Sequence, residues 1–180
     1  KYGTIDTLLK QSIEQLYTKN IKDKFVGQLI VTPDCISDFL GFITSDISDG
    51  KMISGTSLYK NELNKQIANS KLTFHSHPVS DEITDGYFVT SDGYVAENST
   101  IVDKGVLKTY LLGIYGSKKL GKNRAVNDGG AYIVDPGDKS FSSIIKGIDK
   151  GVLLARFSGG TPASNGDFSG VAKNSYYIEK

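Results

Sequence analysis

The stretch from Gly151 to Lys180 reads GVLLARFSGGTPASNGDFSGVAKNSYYIEK and contains two kinds of sequence. Residues 151–157 are mainly apolar and predict a buried strand. Residues 158–170, called the closing segment below, hold four glycines and one proline among small polar residues, and they predict a turn into a final strand. Such a turn suits two roles equally well. It is either a simple connecting hairpin or an ordered loop whose backbone lets another chain or an extended peptide come close.

The rest of the chain combines amphipathic helices with short apolar strands. Apolar spacing predicts helices at 4–18, 33–48 and 141–148, with a short helix at 58–67, and Gly50 as the end of the second helix. Strands are predicted at 25–31, 71–75, 106–115 and 131–134, with a hairpin turn at 102–106. Because no regular alternation of strand and helix occurs, we expect an α+β fold: an antiparallel β-sheet with a few flanking helices.

Composition excludes several classes of function. The chain has 180 residues and 21 basic against 20 acidic side chains, a net charge of +1, so it offers no basic field for nucleic acid. No apolar run approaches the length of a membrane span, so no membrane partner is expected. Cys35 is the single cysteine, which rules out an intramolecular disulfide and favours a cytoplasmic location.

The tetrapeptide His75-Ser76-His77-Pro78 is the strongest candidate for a metal site. Two histidines at positions i and i+2 of a strand face the same way, so both can reach one zinc ion. The motif resembles the HSHP of JAMM-type metallopeptidases, but the downstream Ser and Asp do not have the spacing of that family. An autonomous zinc hydrolase that uses His75 and His77 therefore stands as an alternative.

Three stretches resemble one known family. Gly166-Asp167-Phe168-Ser169, between an apolar strand and an aromatic strand, is similar to the closing run of PmbA/TldD proteins. The run 103–112, DKGVLKTYLL, with the residues up to Gly121, resembles a second family motif, and Val31-Thr32-Pro33 before a helix resembles a third. The resemblance spans residues 1–180 and is weakest around 60–95.

The resemblance implies an antiparallel α+β domain at the C-terminus of a two-domain protein. We accordingly expect residues 1–180 to be one C-terminal domain and the N-terminal domain to be absent. Family members form dimers, and the TldD-type subunit is a zinc peptidase that acts on unfolded or modified peptides. Its H-E-x-x-x-H motif lies on the helix that corresponds to residues 33–48.

This chain departs from the catalytic branch at that helix. The window Phe39–Asp46 contains no His or Glu, and Cys35 does not match the C-terminal cysteine of the catalytic branch. The resemblance is therefore to the PmbA (TldE) branch, without catalytic residues, metal ligands or cofactor of its own. The zinc is expected in a TldD-like catalytic partner, although a homodimer is also compatible.

The closing segment is then predicted to carry the function of this chain. It would form a contact surface and would not take part in the chemical reaction. The residues expected to contact a peptide substrate or the partner subunit are Gly159, Gly160, Thr161, Asn165, Gly166, Asp167 and Ser169. A third hypothesis is a pure protein-interaction domain with no role in proteolysis or peptide maturation. No residue suggests the DNA gyrase regulation that older family names imply.

Overall fold

A computed structural model describes residues 2–160, 162–163 and 165–180, and it divides into two compact units. The first unit comprises residues 1–38, 139–160 and 168–180, and the second comprises residues 39–138 and 161–167. The helices are α1 Tyr2–Glu14, α2 Pro33–Asp46, α3 Asp49–Ser54, α4 Ile114–Leu120 and α5 Phe141–Lys146, with a 3-10 turn Gln15–Tyr17. The strands are β1 Gln28–Val31, β2 Phe74–Ser76, β3 Ser99–Asp103, β4 Val106–Leu107, β5 Tyr132–Val134, β6 Lys150–Leu154, β7 Arg156–Gly159, β8 Gly170–Lys173 and β9 Tyr176–Glu179.

The first unit is built on a three-stranded sheet in the order β1-β6-β9. The central strand β6 pairs in parallel with β1, where Gln28 lies opposite Gly151, and antiparallel with β9, where Lys150 lies opposite Glu179. An added Cβ at Gly151 would overlap the carbonyl of Gln28, so the close approach of β1 requires glycine there. Strands β7 and β8 form a separate antiparallel ribbon in the same unit.

The second unit contains a four-stranded antiparallel sheet in the order β4-β3-β2-β5. Phe74 of β2 lies between Val102 of β3 and Val134 of β5. The fully buried side chains of this unit form its core: Ile47, Met52, Phe74, Ile101, Val102, Leu107 and Leu112. Removal of this apolar surface from water is the main term that holds the unit together.

Asp49 fixes the start of α4 in the second unit. Its carboxylate oxygens accept hydrogen bonds from the backbone N–H groups of Gly113, at 3.1 Å, and Gly116, at 3.2 Å. The first N–H groups of a helix have no partner inside the helix, so a carboxylate at this position satisfies them. A side chain at Gly116 would overlap Asp49, which explains the glycine.

A second carboxylate, Asp92, holds the same helix start. It accepts the N–H of Ile114 at 3.0 Å and is clamped by Arg124, whose Nε and Nη2 each donate at 2.8 Å. The hydroxyl of Thr90 also donates to it, at 2.6 Å, and the Arg124 guanidinium stacks 3.9 Å from the centre of the Tyr94 ring. This ion pair therefore ties the turn at residues 90–94 to α4.

The predicted fold class is confirmed, since the structure is α+β with antiparallel sheets and flanking helices. The predicted α1, the 102–106 hairpin, and elements near 131–134 and 141–148 are also found. In the part of the chain that the structure describes, no helix has both the length and the apolar character of a membrane span.

The predicted helix 33–48 is found as α2, but it ends at Asp46. The prediction that Gly50 ends it was wrong, since Gly50 lies inside α3, which ends at Ser54 and is capped by Gly55 with a φ of +79°. Three other predicted elements were wrong. Residues 58–67 form turns, because Asn64 has a φ of +64°, which breaks a helix. The apolar run 106–115 is a strand only at 106–107, and the run 151–157 is split between β6 and β7 at Ala155.

The Asp92–Arg124 pair predicts a pH-dependent stability. Hydrogen bonds from Arg124 and then Thr90 hold the pKa of Asp92 well below its usual range. In the unfolded chain an aspartate has a pKa of about 3.9, so below that pH the unfolded state takes up a proton that the folded state refuses. We expect wild type to be more stable than Asp92→Asn at pH 7, with the difference shrinking as the pH falls below about 4.

Urea unfolding of both proteins between pH 7 and pH 2 measures this difference. Asp138→Asn, a change at an exposed aspartate, is the control and should leave the free energy of unfolding nearly unchanged at pH 7. A gap between wild type and Asp92→Asn that stays constant down to pH 2 would contradict the assignment.

Candidate functional site

The first part of the closing segment lies in the β7–β8 ribbon of the first unit. Gly159 pairs with Gly170, and the N–H of Gly160 donates to the carbonyl oxygen of Ser169 at 3.2 Å. Gly159, Gly160 and Ser169 are all exposed. The ribbon therefore presents exposed backbone at these positions.

An aromatic ring closes over this glycine pair. A Cβ added at Gly159 or at Gly170 would overlap the ring of Phe157. Phe157 also meets Phe168 edge to face, with ring centres 6.0 Å apart and an interplanar angle of 77°. An isolated two-stranded ribbon is marginally stable in water, so this aromatic packing helps to hold it in one conformation.

The second part of the closing segment belongs to the second unit and forms an ordered turn. Oδ1 of Asn165 accepts the N–H of Asp167 at 3.0 Å, and Nδ2 of Asn165 donates to the Asp167 carboxylate at 2.7 Å. The N–H of Gly166 donates to the carbonyl of Ala163 at 2.9 Å, and the N–H of Ala163 donates to the carbonyl of Asp167 at 2.8 Å. Gly166 has a φ of +87°, a conformation that favours glycine. Asn165 and Asp167 are exposed, so their polar groups face solvent.

Of the seven candidate residues, Thr161 lies outside the described residues. The structure places Gly159, Gly160 and Ser169 together on the ribbon, and Asn165, Gly166 and Asp167 together in the turn. A contact role for these residues stays a prediction. The ribbon presents exposed glycine backbone, and the turn presents the Asn165 amide and the Asp167 carboxylate, which hydrogen-bond to each other.

The resemblance places the zinc ligands of the catalytic branch on the helix that corresponds to α2. The window Phe39–Asp46 lies on α2, and its side chains supply no histidine nitrogen, cysteine sulfur or glutamate. Asp46 is buried, pairs with Lys51 and accepts the N–H of Leu58 at 2.6 Å, so its carboxylate is already used within the fold. These residues do not fit a zinc site.

Cys35 precedes that window and is also structural. Its side chain is 1% exposed, and its sulfur lies 3.9 Å from Oδ2 of Asp38. Burial and the neighbouring carboxylate raise the pKa of the thiol. A buried thiol with a raised pKa is a poor nucleophile, so Cys35 behaves as a small apolar residue.

The two histidines of the alternative hypothesis lie side by side, with ring centres 4.8 Å apart. Nδ1 of His75 is 2.9 Å from the hydroxyl of Thr100, and Nε2 of His75 is 3.1 Å from the carboxylate of Asp135. Both ring nitrogens of His75 are therefore engaged. Over residues 2–160, 162–163 and 165–180, no group of three or more His, Cys, Asp or Glu side chains is placed to hold a metal ion.

Sequence reasoning missed the partners of His75. Thr100 is 25 residues and Asp135 is 60 residues away along the chain, and they meet His75 only because β2 lies between β3 and β5. Asp135 directly follows a predicted strand, so pairing the strands correctly would have found it. These two partners make His75 part of a polar cluster at the end of β2.

The ribbon geometry generates a prediction for two adjacent glycines. In Gly159→Ala the new Cβ would lie 2.6 Å from the Ser169 carbonyl oxygen and 2.7 Å from Cα of Gly170, both backbone atoms, so we expect a cost of about 1–3 kcal/mol. Gly160→Ala is the matched control, because nothing lies within 4 Å of its Cβ. Hydrogen exchange of the β7 and β8 amides should be faster in Gly159→Ala alone. Equal exchange in both variants would contradict the described packing.

Comparison with known proteins places this domain in a family. A family model described as the PmbA/TldA metallopeptidase C-terminal domain matches residues 26–180. A metalloprotease PmbA homolog from Buchnera aphidicola subsp. Acyrthosiphon pisum is 25% identical over 174 residues, which cover 95% of this chain and 39% of the relative. A zinc metalloprotease TldD homolog from Saccharolobus solfataricus is 24% identical over 164 residues, 84% of this chain and 37% of the relative.

Solved structures agree with the sequence matches. A Bacteroides thetaiotaomicron protein named as a modulator of DNA gyrase superposes with a TM-score of 0.76 and 29% identity, covering 88% of this chain and 37% of that protein. TldE from Thermococcus kodakarensis shares the fold, with a TM-score of 0.71 and 19% identity over 84% of this chain and 38% of TldE. The chain thus spans less than two fifths of each of these two solved proteins. It belongs to the PmbA/TldD metallopeptidase family and corresponds to that family's C-terminal domain.

Proposed function

We propose that this chain is the C-terminal domain of a non-catalytic, TldE-like subunit that works with a TldD-type zinc metallopeptidase in proteolysis or peptide maturation. The observation that carries the proposal is the α2 window Phe39–Asp46, whose side chains do not fit a zinc site. A chain of a metallopeptidase family without donors at this position needs another subunit for the chemistry.

The closing segment supplies the contact function in this proposal. Its exposed glycine backbone and the Asn165–Asp167 turn are ordered by hydrogen bonds within each unit, so less conformational entropy is lost when they bind a partner. Gly159, Gly160 and Ser169 present exposed backbone without bulky side chains, and Asp167 offers a negative charge. We assign these groups, with Thr161 and Gly166, to the partner subunit or to the peptide that it cleaves.

The partner is a TldD-like subunit, or a second copy of the same full-length protein, and it holds the zinc. The net charge of +1 favours a protein or peptide partner over nucleic acid. A cytoplasmic location agrees with the single, buried cysteine. The N-terminal domain of the family would complete the cavity that holds the peptide.

Reconstitution of peptide cleavage tests the proposal. A TldD-type zinc subunit is assayed on an unfolded peptide alone, with this chain, and with the full-length form of this protein. We expect the full-length form to raise cleavage by about tenfold or more, a typical coupling between subunits. Asp167→Ala in the full-length form should reduce the gain, whereas Asp138→Ala, which removes an exposed charge elsewhere, should not.

Failure of both this chain and the full-length form to change cleavage would overturn the proposed subunit role. Binding to the zinc subunit without any change in cleavage would instead identify a pure interaction domain. If Asp167→Ala leaves the gain in peptide cleavage unchanged, the closing segment is not part of the contact surface.

A further inference from the structure

Asn165-Gly166 is the one Asn-Gly pair in this sequence, and it lies in the turn of the closing segment, where Asn165 is exposed. Glycine has no side chain to shield its backbone nitrogen, so that nitrogen can reach the side-chain amide carbon of the asparagine before it. Attack of the nitrogen on this carbon closes a cyclic imide, which is the first step of deamidation. Every other asparagine of the chain is followed by a residue that has a side chain.

The turn keeps the two reacting groups of this pair close to each other. Oδ1 of Asn165 accepts the N–H of Asp167 at 3.0 Å, and the ring of atoms that this hydrogen bond closes includes Cγ of Asn165 and the nitrogen of Gly166. The electrophilic carbon and the attacking nitrogen are thus neighbours in one ordered turn. The rate of attack then depends on the other hydrogen bonds that these groups make.

Two of those hydrogen bonds oppose the reaction. The nitrogen of Gly166 is engaged, because its N–H donates to the carbonyl oxygen of Ala163 at 2.9 Å. The nitrogen that must leave, Nδ2 of Asn165, donates to the carboxylate of Asp167 at 2.7 Å. The carboxylate also places a negative charge beside an amide that itself becomes negatively charged when it is attacked, and like charges repel. The folded turn must therefore open locally before the two groups react.

We propose that Asn165 is a site of intramolecular deamidation and that the carboxylate of Asp167 restrains the reaction. The backbone nitrogen of Gly166 loses its proton and bonds to Cγ of Asn165. The Cγ–Nδ2 bond breaks, and the released nitrogen takes up a proton and leaves as ammonia. Water then adds to either carbonyl carbon of the succinimide, which leaves aspartate at position 165 or isoaspartate, in which the main chain runs through Cγ.

Either product disrupts the turn. An aspartate at position 165 carries an oxygen where Nδ2 donated to Asp167, so two carboxylates then face each other. An isoaspartate adds a carbon to the main chain between Ala163 and Asp167, which displaces the hydrogen bond from the Ala163 N–H to the Asp167 carbonyl. The modification converts the turn from closed to open in one direction only. It takes place within the isolated chain, so it is tested independently of the proposed subunit role.

Peptide mapping by mass spectrometry, during incubation of the purified chain at pH 8, tests the site. Deamidation raises the mass of a peptide by the difference between OH and NH2, and chromatography separates isoaspartate from aspartate. Asn174 is the internal control, because it is also exposed but is followed by Ser175. In urea we expect Asn165 to react about tenfold or more faster than Asn174. In the native chain Asn165 should still react, but about tenfold more slowly than in urea.

Asp167→Ala tests the restraint. The change removes the hydrogen bond to Nδ2 and the negative charge, and it keeps the backbone N–H that Oδ1 of Asn165 accepts. We expect it to raise the native rate of deamidation about fivefold or more. Asp138→Ala, which removes an exposed charge elsewhere, is the matched control and should leave the rate unchanged. Circular dichroism confirms that both variants remain folded.

No deamidation of Asn165 in the native chain, or equal rates at Asn165 and Asn174 in urea, would overturn the proposal. Equal native rates in wild type and Asp167→Ala would also overturn it. The comparison of native and unfolded wild type needs no variant to fold, and equal rates in those two states would show that the turn exerts no restraint. Unchanged hydrogen exchange of the Ala163 and Gly166 amides after modification would contradict the opening of the turn.

Discussion

The central position of β6 is the constraint on which the first unit depends. One edge of β6 pairs with the parallel strand β1 and the other edge pairs with the antiparallel strand β9. The main-chain groups on both edges of β6 are therefore hydrogen-bonded within the sheet. Gly151 permits the close approach of β1. The same strand leads through Ala155 into β7, which places the closing segment directly after the most constrained part of the sheet.

In the second unit, two carboxylates fix the start of helix α4. Asp49 and Asp92 satisfy the open N–H groups at the start of α4, and Arg124 fixes Asp92 in place. The acidic residues with the most hydrogen bonds in this unit therefore serve the fold. The buried Asp46 and His75 likewise use their polar groups in hydrogen bonds within the fold.

Local sequence patterns predicted many of the helices and strands but little of the pairing between strands. Apolar periodicity identified α1, and the Lys104-Gly105 turn identified the β3–β4 hairpin, because both signals lie within a few residues. The run 106–115 was wrongly predicted to be one strand. Leu111 and Leu112 are apolar because they are buried, although they lie outside the strand β4. The partners of His75 come from segments far apart in sequence, so no local pattern could reveal them. The closing segment was recognisable from its glycines, but its division between two units was not.

In the proposed function, this chain supplies contact surfaces while another subunit supplies the metal. The most direct test is the zinc content, by inductively coupled plasma mass spectrometry, of the chain and of its His75→Ala variant, both purified without a histidine tag. We expect zinc far below one ion per chain in both proteins. About one zinc ion per chain in the wild type, lost in His75→Ala, would contradict it, because three or four protein ligands would then have to meet at the histidine pair.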